Sequence, residues 1–82
     1  MKKSLLRESC EVVAHTHSGF IIPDLVMWKR RRYTVAKIIK RQRLGKWRER
    51  VSIDVLASKR MELEFDYRNK SWLLLSLEPD PF

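Results

Sequence analysis

The sequence predicts an all-β domain, an antiparallel meander of five to six strands. Two stretches, residues 51–57 and 61–67, alternate apolar and polar side chains with the period of two that a half-buried strand shows. A third, residues 71–77, carries an apolar run from Trp72 that is typical of a strand in the middle of a sheet or closing a barrel. These patterns leave open a curled sheet or a small barrel resembling the SH3 family in size.

Weaker signals predict three strands in the first half of the chain, over residues 10–16, 25–29 and 33–40. Pro23 indicates extended chain at a strand entrance or a sheet edge. In the third strand the apolar positions change parity between Val35 and Ile38, which predicts a β-bulge or a strand contacted on both faces.

Turns separate these strands. They are expected at His17 to Gly19, at Arg30 to Arg32, over 42–47, over 57–60 and over 68–70. The last of them contains Asn69, a residue able to take a positive φ. Two prolines after Glu78 are expected to stop the final strand.

The chain has 82 residues, which suits a single domain over 1–82, with residues 1–9 frayed or forming one helical turn. Apolar residues make up 44% and charged residues 34%, too apolar for a disordered tail and too interrupted by charge for a membrane span. No secretory leader is recognisable, so the expected location is cytoplasmic. Cys10 is the only cysteine, which excludes an intrachain disulfide and predicts a small buried residue in a strand.

The positive charge is concentrated in residues 29–50, called here the basic segment. Eleven of the 18 cations lie in it with one acid, Glu49, so it carries +10 against +8 for the whole chain. Such a segment favours a polyanion, which arginine binds through paired hydrogen bonds and lysine through charge. The alternative is a solvated, charged surface with no ligand.

Three aromatic residues lie within or beside the basic segment: Trp28, Tyr33 and Trp47. An exposed aromatic among cations stacks on nucleic-acid bases, whereas a buried one belongs to the core. Trp47 has few apolar neighbours in sequence and is therefore the one expected to be exposed.

Other chemistry has weaker support in the sequence. His15 and His17 share one strand face and would need a third ligand to hold a metal, so two surface histidines are the favoured interpretation. The row Glu62, Glu64 and Asp66 is expected to be the solvated face of a strand, paired with cations across the sheet. The two glycines are isolated, no phosphate-binding loop is present and no cofactor is expected, so we predict no enzyme.

The chain resembles a small uncharacterised bacterial β-domain family of unknown function. The shared pattern is Pro23, Trp28 and then Arg31-x-Tyr33-x-Val35, with Trp72 and apolar residues in a late strand. Where the family usually has a small residue or Gly, this chain has Lys29 and Arg30. Some members accompany error-prone bacterial DNA polymerases, so the resemblance implies a DNA-associated accessory domain and no catalytic residue.

These observations predict a non-catalytic domain that binds the backbone of DNA or RNA with little sequence specificity. The alternative is a protein-interaction module that binds an acidic partner or pairs through a strand edge. The candidate nucleic-acid-binding residues are Lys29, Arg30, Arg31, Arg32, Lys40, Arg41, Arg43, Lys46, Trp47 and Arg48.

Overall fold

The computed structural model describes residues 6–56 and 59–79 and confirms the all-β prediction. Six strands follow one another in the described part of the chain: β1 (Glu8–His17), β2 (Phe20–Trp28), β3 (Arg31–Arg43), β4 (Arg48–Val55), β5 (Lys59–Asp66) and β6 (Ser71–Pro79). Each pairs antiparallel with the next, and β6 returns to β1. The sheet therefore closes into a small barrel, the second of the two forms that the sequence left open.

Most strands are longer than the alternation of side chains predicted. β1 begins at Glu8, inside the segment expected to be frayed or helical, and β2 runs through Pro23 from Phe20 onward. Pro23 lies at a register shift between β1 and β2, before the ladder of β2 with β3 begins at Leu25. A proline is tolerated there because one side of β2 has no ladder to interrupt. β6 also continues two residues past its predicted end, through Pro79, the first of the two prolines expected to stop it. The predictions for residues 1–5, 57, 58 and 81 lie outside the described residues.

The core fills the barrel with the alternate residues of β4, β5 and β6, which the sequence pattern identified. Phe65 packs against Trp72 with ring centroids 4.7 Å apart and against Tyr67 at 4.8 Å. Trp28 is half-buried at the edge of this cluster. The buried residues of the cluster are Val26, Tyr33, Val51, Ile53, Val55, Met61, Leu63, Phe65, Trp72 and Leu74.

β3 changes partner along its length and contains two register shifts, the first of which explains the parity change seen in the sequence. Its first residues pair with β2, with Arg31 opposite Trp28, and from Val35 onward it pairs with β4. Register shifts fall after Val35 and after Ile38, which confirms the predicted bulge. Bulges bend a strand and increase its twist, which a barrel this small requires.

The turn between β2 and β3 consists of Lys29 and Arg30 alone, because Arg31 and Arg32 already belong to β3. Both turn residues have positive φ, 51° and 64°. Two consecutive positive φ values are the geometry of a type I′ turn, which suits the twist of a two-residue hairpin. Asparagine and glycine adopt that geometry at low cost, whereas lysine and arginine adopt it with strain.

In the turn between β5 and β6, Asn69 is not the residue with a positive φ. The positive φ belongs to Lys70, at 54°. Asn69 instead donates hydrogen bonds to the Asp66 carboxylate from its backbone N–H and its side-chain amide, each at 3.3 Å. This carboxylate organises the turn by accepting several donors, as Asp commonly does.

The acidic row on β5 is less solvated than predicted. Glu64 is only 4% exposed and accepts a hydrogen bond from Arg48 at 3.2 Å, with Arg7 at 3.9 Å from its other oxygen. The predicted pairing with cations across the sheet is therefore present, but one carboxylate of the row is buried beneath them. Period-two alternation does not reveal that side chains on the outer face can cover one another.

Candidate functional site

The basic segment spans the β2–β3 turn and the β3–β4 hairpin, and most of its cations form two groups, one at each end of β3. Lys29 to Arg32 lie at the β2–β3 turn and the start of β3, and we call them the turn cluster. The second group lies near the β3–β4 turn, and Lys37 and Lys40 lie on β3 between the two groups. Twelve residue steps separate Arg31 from Arg43, roughly 40 Å of strand contour, in a molecule whose longest dimension is 35 Å. The exposed Lys37 and Lys40 make β3 one route for a ligand that contacts both groups.

Trp47 occupies the β3–β4 turn and is 46% exposed, as the sequence predicted. The Lys46 ammonium and the Arg68 guanidinium each lie 5.7 Å from the centre of its ring. Two backbone hydrogen bonds hold the turn: the Tyr67 N–H donates to the Trp47 carbonyl at 2.7 Å, and the Leu44 N–H to the Arg48 carbonyl at 2.9 Å. Trp47 is thus an exposed indole on a supported turn, flanked by two cations.

Two further aromatic residues lie at the same end of the barrel, where the β1–β2, β3–β4 and β5–β6 turns meet. Phe20 is 51% exposed with the Arg41 guanidinium 5.4 Å from its ring, and the Arg43 guanidinium lies 5.1 Å from the Tyr67 ring. Cations within about 6 Å of an aromatic ring are attracted to its face. We call this region the aromatic end; it comprises Phe20, Arg41, Arg43, Lys46, Trp47, Tyr67 and Arg68.

Sequence reasoning missed three members of the aromatic end: Phe20, Tyr67 and Arg68. Phe20 was placed in the extended chain that leads into Pro23, Tyr67 was assigned to a strand, and Arg68 was noted only as a turn residue. A signal was available, because each adjoins a predicted turn and alternate turns of a meander lie at one end of the barrel. Tyr33, in contrast, is buried and excluded as a stacking residue.

Arg41 and Arg48, both predicted to bind nucleic acid, have structural partners. Arg41 donates to the carboxylate of Glu49 at 3.0 Å and also to the Ile21 carbonyl. Arg48 covers the buried Glu64. Their guanidinium groups are therefore committed to buried carboxylates and are less available to a ligand than the remaining cations.

Glu49 ties the aromatic end together from within. It is 4% exposed, and besides Arg41 it accepts a hydrogen bond from the Tyr67 hydroxyl at 2.6 Å. Burial and this hydrogen bond raise the pKa of Tyr67, so the phenol stays protonated as donor. The single acid of the basic segment is thus the buried anchor for β3, β4 and the residue that follows β5.

The cations of the turn cluster have no carboxylate within ion-pairing distance among the described residues. Lys29 lies 4.9 Å from the centre of the Trp28 ring, and the Trp28 indole N–H donates to Glu8 at 3.1 Å. Lys40, the remaining candidate, and Lys37 are exposed on β3 between the two groups. The structure thus places uncommitted cations at both ends of β3 and along it.

The histidines are not arranged as a metal site. His15 Nδ1 lies 2.8 Å from a carboxylate oxygen of Asp24, a partner that the sequence spacing did not identify. Among the described residues no group of three or more His, Cys, Asp or Glu side chains converges to hold a metal ion. The same part of the chain contains no helix long and apolar enough to span a membrane.

The fold and this site define a small antiparallel β-barrel with an aromatic, cationic end. Comparisons with protein-family models, with curated proteins and with solved structures found no match to the chain. The function proposed below is therefore argued from the structure of the chain itself.

Proposed function

We propose that this chain is a non-catalytic nucleic-acid-binding domain that holds a single strand of DNA or RNA with little sequence specificity. The observation that carries the proposal is the exposed Trp47 between Lys46 and Arg68. Every base has a π-face, so stacking on an indole is sequence-tolerant and contributes about 1–3 kcal/mol per base.

The path of the strand follows from the positions of the uncommitted cations. From Trp47 and Arg43 the backbone would pass Lys40 and Lys37 along β3 towards the turn cluster. Phosphate contacts of this kind release counterions, so affinity falls steeply with salt. The resemblance in sequence to a domain family of which some members accompany DNA polymerases is consistent with the same class of ligand.

The test is a fluorescence titration of the purified protein with labelled single-stranded and duplex oligonucleotides at about 50 and about 200 mM salt. With about four phosphate contacts to a single strand, affinity should fall roughly fiftyfold between these salt concentrations. The intrinsic Trp emission should change on binding, and that change should be lost in Trp47→Ala. No binding at the lower salt concentration would overturn the proposal.

Matched variants locate the contact surface without disturbing the fold. Lys46→Ala should weaken binding to all sequences several-fold, whereas Lys59→Ala, which removes the same charge from β5, should change it little. Arg41 and Arg48 are unsuitable for this test because removing either leaves a buried carboxylate without its partner. Equal effects of the two lysine variants would show that affinity depends on the net charge of the protein and not on a contact at Lys46.

One observation favours a protein partner as the second candidate. β1 pairs with β6 only over Glu8 to Cys10, so its edge from Glu11 to His17 has no ladder partner on that side among the described residues. The edge from Val12 onward carries no Lys, Arg, Asp or Glu, and an uncharged free edge is a template for strand addition. A saturable complex with a protein, without retention of nucleic acid by the purified chain, would favour this candidate.

A further inference from the structure

An open groove of about 430 Å³ lies beside the turn cluster, at the end of β3 remote from Trp47. The end of β2 and the β2–β3 turn line it on one side, and the first residues of β1 line it on the other. Its lining comprises Ser9, Cys10, Glu11, Met27, Trp28 and residues 29–32. The volume is within the range of small-ligand sites, roughly 300–1,000 Å³.

We infer that this groove binds the terminal phosphate monoester of the nucleic-acid strand, an inference that rests on the proposed function. A terminal monoester carries a charge of about −1.5 to −2 and three strong acceptor oxygens, against a single negative charge for each internal phosphate. Four neighbouring cations without a carboxylate partner in the described part of the chain match the larger charge. The groove should therefore bind the phosphorylated end of a strand more tightly than an internal phosphate.

The β1 side of the groove is a second reason to expect the end of a nucleic-acid strand there. Glu11 lines the wall formed by β1, and Glu8 lies nearby, accepting the hydrogen bond from the Trp28 indole. A backbone that continued past the turn cluster across β1 would bring its phosphates towards these carboxylates, and like charges repel. These carboxylates therefore interrupt the positive surface beside the turn cluster, with the next cation, Lys70, on the other side of β1.

The conformation of the turn agrees with a role in binding. Lys29 and Arg30 both hold positive φ, which glycine or asparagine would adopt with less strain. The two-residue hairpin imposes this geometry, as the β1–β2 hairpin does at Ser18. In this hairpin it places two cations consecutively at the rim of the groove.

The experiment compares three versions of one short single-stranded oligonucleotide with an internal label: with a 5′-phosphate, with a 3′-phosphate and with hydroxyl groups at both ends. One phosphorylated version should bind about tenfold more tightly than the hydroxyl version, the gain of one charge-assisted contact. The end whose phosphate raises the affinity identifies the direction in which the strand lies on the protein. Equal affinity of all three would overturn this inference and leave the proposed function standing, whereas absence of binding by any version would overturn both.

Two variants with matched charge loss test whether the groove is responsible. Lys29→Asn with Arg30→Gly keeps a type I′ turn and removes two cations from the groove. It should abolish the preference for the phosphorylated end. Lys37→Gln with Lys40→Gln removes two cations from the middle of β3 and should weaken all three oligonucleotides while keeping the preference. Preference retained in the turn variant would overturn the assignment to this groove.

Discussion

At the residue scale, the side chains that define the aromatic end depend on one buried carboxylate. Glu49 accepts hydrogen bonds from Arg41 on β3 and from Tyr67 after β5, and Arg41 in turn reaches the Ile21 carbonyl on β2. Removing one partner from a buried ion pair leaves an uncompensated polar group, which costs more than the pair contributes. The exposed cations around it can change without that cost.

We expect Glu49→Gln to lower the free energy of unfolding by about 3 kcal/mol, because the Arg41 guanidinium then loses its charged partner. Tyr67→Phe should cost about 1 kcal/mol, the loss of one hydrogen bond. Urea denaturation measures both. Glu11→Gln, at an exposed position, is the control and should change stability by less than about 0.5 kcal/mol. Equal stability of the two Glu variants would show that the network is not structural.

The thiol of Cys10 is expected to react slowly. Burial raises its pKa to about 11, so the thiolate, which is the reactive form, is scarce at neutral pH. Alkylation by iodoacetamide at about pH 8 should be roughly a hundredfold slower in the folded chain than in urea, since an exposed cysteine has a pKa near 8.5. The rate should rise with pH up to about 11; a rate already constant at pH 9 would contradict this pKa.

At the scale of elements, turn conformation was the feature that residue types indicated least well. Asn69 is a residue that favours positive φ, yet Lys70 adopts it, and Lys29 and Arg30 adopt it where no Gly or Asn is present. Strand pairing imposes these values: a two-residue connection between twisted strands favours a primed turn, and this one has the positive φ values of type I′. The φ preference of the turn residues changes the free energy of the turn, whereas the hydrogen-bonded ladders of the flanking strands determine its backbone geometry.

Residues that tolerate positive φ should stabilise the β2–β3 turn. Lys29→Asn with Arg30→Gly should raise the free energy of unfolding by about 1 kcal/mol, because both new residues tolerate positive φ. Thermal and urea unfolding measure the gain. The inverse change at an extended position, Thr34→Gly on β3, should be destabilising. A turn variant less stable than the parent chain would show that Lys29 and Arg30 stabilise the hairpin.

At the scale of the whole molecule, closure joins the first strand to the last. The seam between β1 and β6 is short: Glu8 lies opposite Leu74 and Cys10 lies opposite Trp72. The paired residues are more than 60 positions apart in sequence. Contacts of such long range are formed only after much of the chain is ordered, which makes folding cooperative and slow. The hydrophobic core packs against all six strands, so no strand is expected to unfold alone.

We therefore expect one cooperative unfolding transition. Far-ultraviolet circular dichroism and Trp fluorescence, which reports on Trp28 and Trp72 in different strands, should give the same urea midpoint. Leu74→Ala, at a fully buried position beside the seam, should lower the free energy of unfolding by roughly 3 kcal/mol. Midpoints that differ between the two probes would indicate that β1 and β2 detach before the rest of the barrel.

The fold class, the strands whose inner face forms the core, the bulge in β3 and the exposure of Trp47 could be predicted from the residues alone, because side-chain alternation and apolar spacing are local patterns. Closure of the sheet, the grouping of most cations of the basic segment at the two ends of β3, and the pairing of Arg41 and Arg48 with buried carboxylates depend on the folded barrel. It also brought Phe20, Tyr67 and Arg68 to the end that holds Trp47. These features depend on which strands become neighbours, and neighbour choice is a property of the closed barrel as a whole.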